Sequence, residues 1–156
     1  MKKEFFEKFT SDINITDGLL SLLIGDFLGS GVYRDVYVNA LNEKQVLKIA
    51  KDGHGVVANA KEFDLWREVS GFKGELQWVK DWFCPVVSMS DNGAVLIMER
   101  TLERSTRKLP DEIPSFMFDT HVGNFGWIGS KFVCHDYAAI PFFRDTVKKK
   151  MKKSYF

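Results

Sequence analysis

The sequence predicts an α+β chain of short, mostly antiparallel strands with one inserted helix. Three observations carry that expectation. Short apolar runs, partly β-branched, recur between glycine- and asparagine-containing turns. One of those turns contains Asn92-Gly93, the dipeptide most favoured at tight hairpins. A single longer stretch, 56–70, lacks both Pro and Gly and has helical spacing.

In chain order, a short helix is expected at 3–9 and a loop through 12–18. Segments 22–28 and 32–38 read as strands joined through Gly29-Ser30-Gly31. A turn at 39–44 leads to a third strand, 46–50. Gly53-His54-Gly55 is expected as a flexible connection into the 56–70 helix. There Ala60, Phe63 and Trp66 share one side, with Leu65 and Val69 nearby, and Gly71 is a natural stop. Segments 84–89 and 94–98 form a hairpin around Asp91-Asn92-Gly93. Segment 101–109 is a loop or short helix, and Pro110 and Pro114 bracket a connector into Phe116-Met117-Phe118. Segments 124–127 and 131–134 read as two short strands joined at Gly129-Ser130. Pro141 is expected to open a last helix.

The 156 residues suit one domain, and 45% apolar and 14% aromatic residues can build a core. That excludes a disordered or collagen-like chain. A net charge of +1 gives no global argument for nucleic-acid or membrane binding. No stretch approaches the ~20 apolar residues of a membrane span. Glu4, Glu7 and Lys8 interrupt the start of the chain, so no secretory leader is expected and the cytoplasm is the expected location. Cys84 and Cys134 read as small buried hydrophobes in a reducing compartment. A zinc site combining them with His135 lacks metal-ligand spacing. Residues 144–156 carry a net +5, leaving −4 on the preceding 143. This basic tail reads as a frayed, solvated helix end, or as a segment that contacts phosphates and the one candidate for nucleic acid.

Gly29-x-Gly31 lies between two strands, which argues against a dinucleotide-binding turn, since that motif must open a helix. Such a turn is either an ordinary hairpin or a loop whose backbone N–H groups approach a triphosphate closely. Lys48 sits on a strand between Leu47 and Ile49, and so projects to the opposite face from them. Glu62 on the following helix can pair with the Lys48 ammonium and hold it against phosphates; Glu68 is the rival partner.

With these features the stretch from Leu22 to about Ala138 resembles the protein-kinase-like superfamily. Gly29, Gly31 and Val36, with Ser30 between the glycines, match its Gly-rich loop, and Arg34 stands where a third glycine usually lies. Val46-Leu47-Lys48 matches the strand of the phosphate-binding Lys, and Ile97-Met98-Glu99-Arg100-Thr101 the last strand of the sheet and the hinge. The resemblance implies that Val36 and Val46 cover an adenine face and Met98 borders the back of the pocket. It implies that the Glu99 carbonyl and the Thr101 N–H bond the adenine edge. Asp119-Thr120-His121-Val122-Gly123-Asn124 resembles the catalytic loop of aminoglycoside-phosphotransferase-type and related atypical kinases, although Met117 and Phe118 precede it. In that likeness Asp119 takes the acceptor's proton, His121 lies near the transferring phosphoryl group and Asn124 holds magnesium. Asp136, followed by Tyr-Ala in place of Phe-Gly, is the second metal ligand.

The resemblance implies a kinase-like fold: an antiparallel five-stranded N-lobe with one helix at 1–99, hinge and catalytic and metal loops at 100–140, and a basic tail at 141–156. Only seventeen residues separate the hinge from Asp119 and twenty follow Asp136, so the C-lobe is expected to be strongly truncated. The implied function is an ATP- and Mg²⁺-dependent phosphotransferase of minimal phage or bacterial type. Its acceptors would be protein hydroxyls, including its own. The alternatives are a nucleotide-binding pseudokinase that regulates a protein partner, and a small-molecule phosphotransferase of the aminoglycoside type.

Overall fold

A computed structural model describes residues 13–103, 106–142, 147 and 149–156. Helix α1 (Ile13–Leu23) runs directly into strand β1 (Ile24–Ser30). A loop was expected from residue 12 to 18, because Asn14, Thr16, Asp17 and Gly18 resemble a turn. The leucines that follow are strong helix formers, and Ser21 Oγ donates to the Gly18 carbonyl at 2.6 Å. The helix claims Leu22 and Leu23, which moves the first strand two residues along. The helix expected at 3–9 lies outside the described residues.

Strands β2 (Arg34–Asn39) and β3 (Gln45–Ala50) follow, then helix α2 (Gly53–Ser70). Strands β4 (Val86–Met89) and β5 (Val95–Glu99) complete a five-stranded antiparallel sheet in the order β1-β2-β3-β5-β4. The expected α+β class, a five-stranded antiparallel sheet with an inserted helix, is what the chain adopts. β3 is central, pairing Lys48 with Val36 on one side and Leu96 on the other. At the β4–β5 turn Gly93 takes φ +70°, but no described non-glycine residue has a positive φ, so Asn92 contributes differently. Its Oδ1 accepts from Ser90 Oγ at 2.8 Å and from Ala94 N–H at 3.0 Å, an Asx-type turn.

The Gly53-His54-Gly55 connection is the first turn of α2. Asp52 caps it in extended conformation, its carboxylate accepting the Gly55 N–H at 3.0 Å. The buried face also differs from the one expected. Gly55, Asn59, Glu62, Leu65 and Val69 point inward, while Ala60, Phe63 and Trp66 are half-buried at its flank. Two polar side chains thus sit on the inner face, which no apolar-periodicity reading would select.

A 3₁₀ segment (Gly74–Trp82) leads from α2 to β4. Beyond β5 come β6 (Glu112–Pro114), β7 (Phe125–Ile128), β8 (Lys131–Cys134) and β9 (Met151–Lys153). β7 and β8 form a hairpin whose turn uses Gly129 at φ +56°. Two backbone joints attach this hairpin to the first half. Cys84 N–H bonds the Cys134 carbonyl at 2.8 Å, and Leu102 and Trp127 exchange backbone bonds of 2.9 and 3.0 Å. Apolar packing closes the same seam: Phe83 stacks on Phe116 and meets Tyr137 edge-on, with ring centroids 5.9 and 5.1 Å apart. Lys152 and Lys153, expected on a frayed helix end, lie instead on β9, paired with β6, and Lys152 Nζ bonds the Met117 carbonyl. Of the helix expected from Pro141, residues 143–146 and 148 lie outside the description; the described residues before β9 are irregular. No helix among the described residues is long and apolar enough to cross a membrane.

Gly55 fixes how closely α2 approaches the sheet. A Cβ there would lie 2.4 Å from the Tyr33 carbonyl oxygen and 2.9 Å from Ala50 Cα, both backbone. A Cβ on Gly53 would meet nothing within 4 Å. Gly55→Ala is therefore expected to cost about 1–3 kcal/mol in urea unfolding, while Gly53→Ala is neutral or stabilising by up to about 1 kcal/mol.

Candidate functional site

The two halves enclose a cleft of about 990 Å³ between the β1–β2 turn, the sheet face of β3 and the turn after β8. Its walls include Gly29, Ser30, Gly31, Val36, Val46, Lys48, Met98, Glu99, Thr101, Asp119 and Asp136. Eleven of the residues singled out in the sequence thus converge, although Gly29 and Asp136 lie over a hundred positions apart. Glu62 is buried behind the wall. His121 and Asn124 are not among the lining residues.

Alternation on β3 puts Lys48 on the face covered by α2, and one helical residue, Glu62, meets it there. Lys48 Nζ lies 2.8 Å from Glu62 Oε2 and also donates to the His135 carbonyl. Glu68, the rival, is exposed. Glu62 itself has no exposed surface. Its Oε2 accepts from Lys48 Nζ and from one Arg34 nitrogen, each at 2.8 Å. Its Oε1 accepts from the other Arg34 nitrogen and from the Tyr137 N–H, each at 3.0 Å. Burial alone would raise the Glu62 carboxyl, but Lys48 and Arg34 outweigh it and hold the group at about 2.

Arg34 is the residue that sequence reasoning passed over, treating it only as a missing glycine. It is buried, and one of its nitrogens reaches Asp136 Oδ1 at 2.7 Å while another reaches Asn59 Oδ1 at 3.3 Å. Asn59 is fully buried and donates to the carbonyls of Gly93 at 2.9 Å and Lys48 at 3.3 Å. The signal available in the sequence was the spacing Asn59, Glu62, Leu65, Val69: two polar groups on an otherwise apolar helix stripe require a buried cation nearby.

His135 is a second such residue, considered in the sequence only for zinc. Its Nε2 faces the Gly123 carbonyl at 2.9 Å and must donate to it, so Nδ1 accepts the Thr101 hydroxyl at 2.8 Å. Burial, together with Lys48, pushes its pKa down to about 4. The ring ties Thr101, in the segment after β5, to the Asp119 loop. Gly126 allows this, because a Cβ there would lie 2.6 Å from the Thr101 side chain. Asp119 is exposed at the cleft mouth; its Oδ1 accepts the His121 N–H at 3.3 Å. His121 Nδ1 accepts the Gly123 N–H at 3.1 Å, so its ring caps the turn. The Asn124 carbonyl accepts from His135 and Asp136 N–H at 2.8 and 3.3 Å. The Cys84 thiol donates to the Glu99 carbonyl at 3.0 Å and the Cys134 thiol to the Asp136 carbonyl at 3.2 Å. Burial raises both thiols above their ordinary range, so each sulfur keeps its proton.

No protein-family model matches the chain, and no curated protein matches it. Among solved structures it is similar to the gentamicin complex of APH(2'')-IIa, at 24% identity and a TM-score of 0.43. It is likewise similar to the streptomycin–ATP ternary complex of APH(2'')-IIa, at 24% and 0.42. A third is aminoglycoside phosphotransferase APH(2'')-Ib with ADP bound, at 24% and 0.43. Each match covers 60% of this chain and 29% of the other, so the matched stretch spans under a third of the length of those proteins.

The half-buried His135 gives a pH signature. With a folded pKa of about 4 against an ordinary 6.5, it binds fewer protons folded than unfolded across that window. Stability therefore falls as pH drops from 6.5 to about 4. Glu62, held at about 2 against an ordinary 4.5, adds a further loss as pH drops below 4.5. Urea midpoints measured from pH 7 to 3 should fall throughout. His135→Gln should flatten the slope between 6.5 and 4.5 and leave the lower part; an unchanged upper slope would assign that titration elsewhere.

Proposed function

We propose that this chain binds ATP with magnesium in the cleft and transfers the γ-phosphoryl group to a hydroxyl, a protein Ser or Thr including its own. The observation that carries the reading is the convergence of Lys48, Asp119 and Asp136 on one cleft beneath the Gly29–Gly31 turn. Neither glycine has a positive φ, and a Cβ on Gly29 would meet nothing within 4 Å. The fold does not itself demand these glycines, and the space a side chain would fill opens on the cleft, where phosphates can approach the backbone. Val36, Val46 and Met98 offer an apolar bed for adenine, with Glu99 and Thr101 at its edge. The Glu99 carbonyl retains a second lone pair beside its thiol contact.

The donor set suits a magnesium ion. Asp136 presents a half-exposed carboxylate to the cleft, and magnesium takes one or two carboxylates together with phosphates and water. Asp136 would hold it, with Asn124 on the adjoining turn as the second protein donor. When bound, the ion neutralises phosphate charge. Lys48, held between Glu62 and the His135 carbonyl, offers its ammonium to the phosphates. Asp119 at the mouth would orient the acceptor hydroxyl and take its proton.

Two observations favour a second reading, nucleotide binding without transfer that regulates a protein partner. His121 and Asn124 lie outside the cleft lining, and Asp136 spends one oxygen on Arg34.

Transfer from labelled ATP, with the protein itself, lysate proteins and an aminoglycoside as acceptors, separates the readings. Asp119→Asn is expected to lower transfer by about 10²–10⁴-fold while ATP affinity stays within about twofold. A protein that binds Mg–ATP and labels none of the three acceptors would favour the second reading.

A further inference from the structure

Arg34 occupies the first position of β2, next to the glycine turn, yet its guanidinium turns inward. The planar fork offers five donors in fixed directions. Two run in parallel to Glu62 at 2.8 and 3.0 Å, and a third bond reaches Asp136 Oδ1 at 2.7 Å. One cation therefore joins helix α2 to the turn after β8. Asp136 is fixed from other sides too. Its N–H bonds the Asn124 carbonyl, and the next residue, Tyr137, gives its N–H to the same Glu62. Oδ1 takes the Arg34 bond, and about half of the Asp136 side chain stays exposed in the cleft wall, where a ligand can reach its carboxylate.

We propose that Arg34 is a positioning residue for Asp136: it holds one carboxylate oxygen so that the other is aimed at a divalent cation chelated by nucleotide phosphates. The proposal rests on the Mg–nucleotide reading of the cleft. It requires arginine. A lysine ammonium is a point charge that cannot grip both Glu62 oxygens and reach Asp136 together. The opposite role, a counter-cation that competes with the metal for Asp136, carries the opposite sign. Removing Arg34 would then strengthen metal-dependent binding.

The test is ATP binding by calorimetry, with and without magnesium, in wild type, Arg34→Gln, Arg34→Lys and Asp136→Asn. In wild type magnesium is expected to tighten ATP, and in Asp136→Asn it is not. Both Arg34 variants should keep magnesium-free ATP affinity within about threefold and lose about tenfold or more of the magnesium-dependent gain, the usual cost of removing a partner that orients a metal ligand. A merely structural role would lower both affinities equally and would overturn the proposal, as would an undiminished or enhanced gain. Where Arg34→Gln does not fold, Arg34→Lys carries the test, because its charge still compensates Glu62. No gain in wild type would overturn the Mg–nucleotide reading itself. A gain lost in Asp136→Asn but kept in the Arg34 variants would overturn the role of Arg34 alone.

Discussion

A carboxylate with no exposed surface sits at the centre of this molecule. Stripped of water, Glu62 would cost several kcal/mol if it were not compensated. Its four hydrogen bonds come from three separate parts of the chain: Arg34 on β2, Lys48 on β3 and the Tyr137 N–H beyond β8. Satisfying that one side chain therefore requires the sheet, the helix and the second half of the chain to be in place together. An interaction of this kind is weak evidence for stability but strong for arrangement, since misplacing any partner leaves a buried charge exposed to none.

The cleft inherits its shape from this requirement. Lys48 is drawn toward the seam by Glu62 and the His135 carbonyl, and Asp136 by Arg34. The neutral His135 ring then sets the separation of the segment at Thr101 from the Asp119 loop, a spacing that only glycine at position 126 permits. Polar groups define the floor of the cleft, while the aromatic cluster around Phe83 holds its two walls together from behind.

The sheet was legible in the sequence because its strands are short β-branched runs and their turns carry glycine. Eleven residues of the cleft lining were legible because the glycine turn, Lys48, Asp119 and Asp136 stand in a recognisable order along the chain. Three things were not legible. Residues 14–18 have turn composition, yet the leucines after them extend a helix through them, a contest that local propensity cannot decide. Arg34 and His135 carry no signal of their own. Their roles exist only through partners 102 and 34 positions away, Asp136 and Thr101 respectively, and no periodicity encodes such pairings. The inner face of α2 was misread for the same reason: its centre is polar, and an apolar stripe was sought.

The most direct measurement is a double-mutant cycle between positions 48 and 62, read by equilibrium unfolding of Lys48→Met, Glu62→Gln and the pair. If the buried carboxylate organises the seam, the two substitutions are strongly non-additive, with a coupling of about 1–3 kcal/mol. The double variant is then more stable than the sum of the singles allows. Additivity within about 0.3 kcal/mol would mean that the two charges do not meet, and would contradict the account.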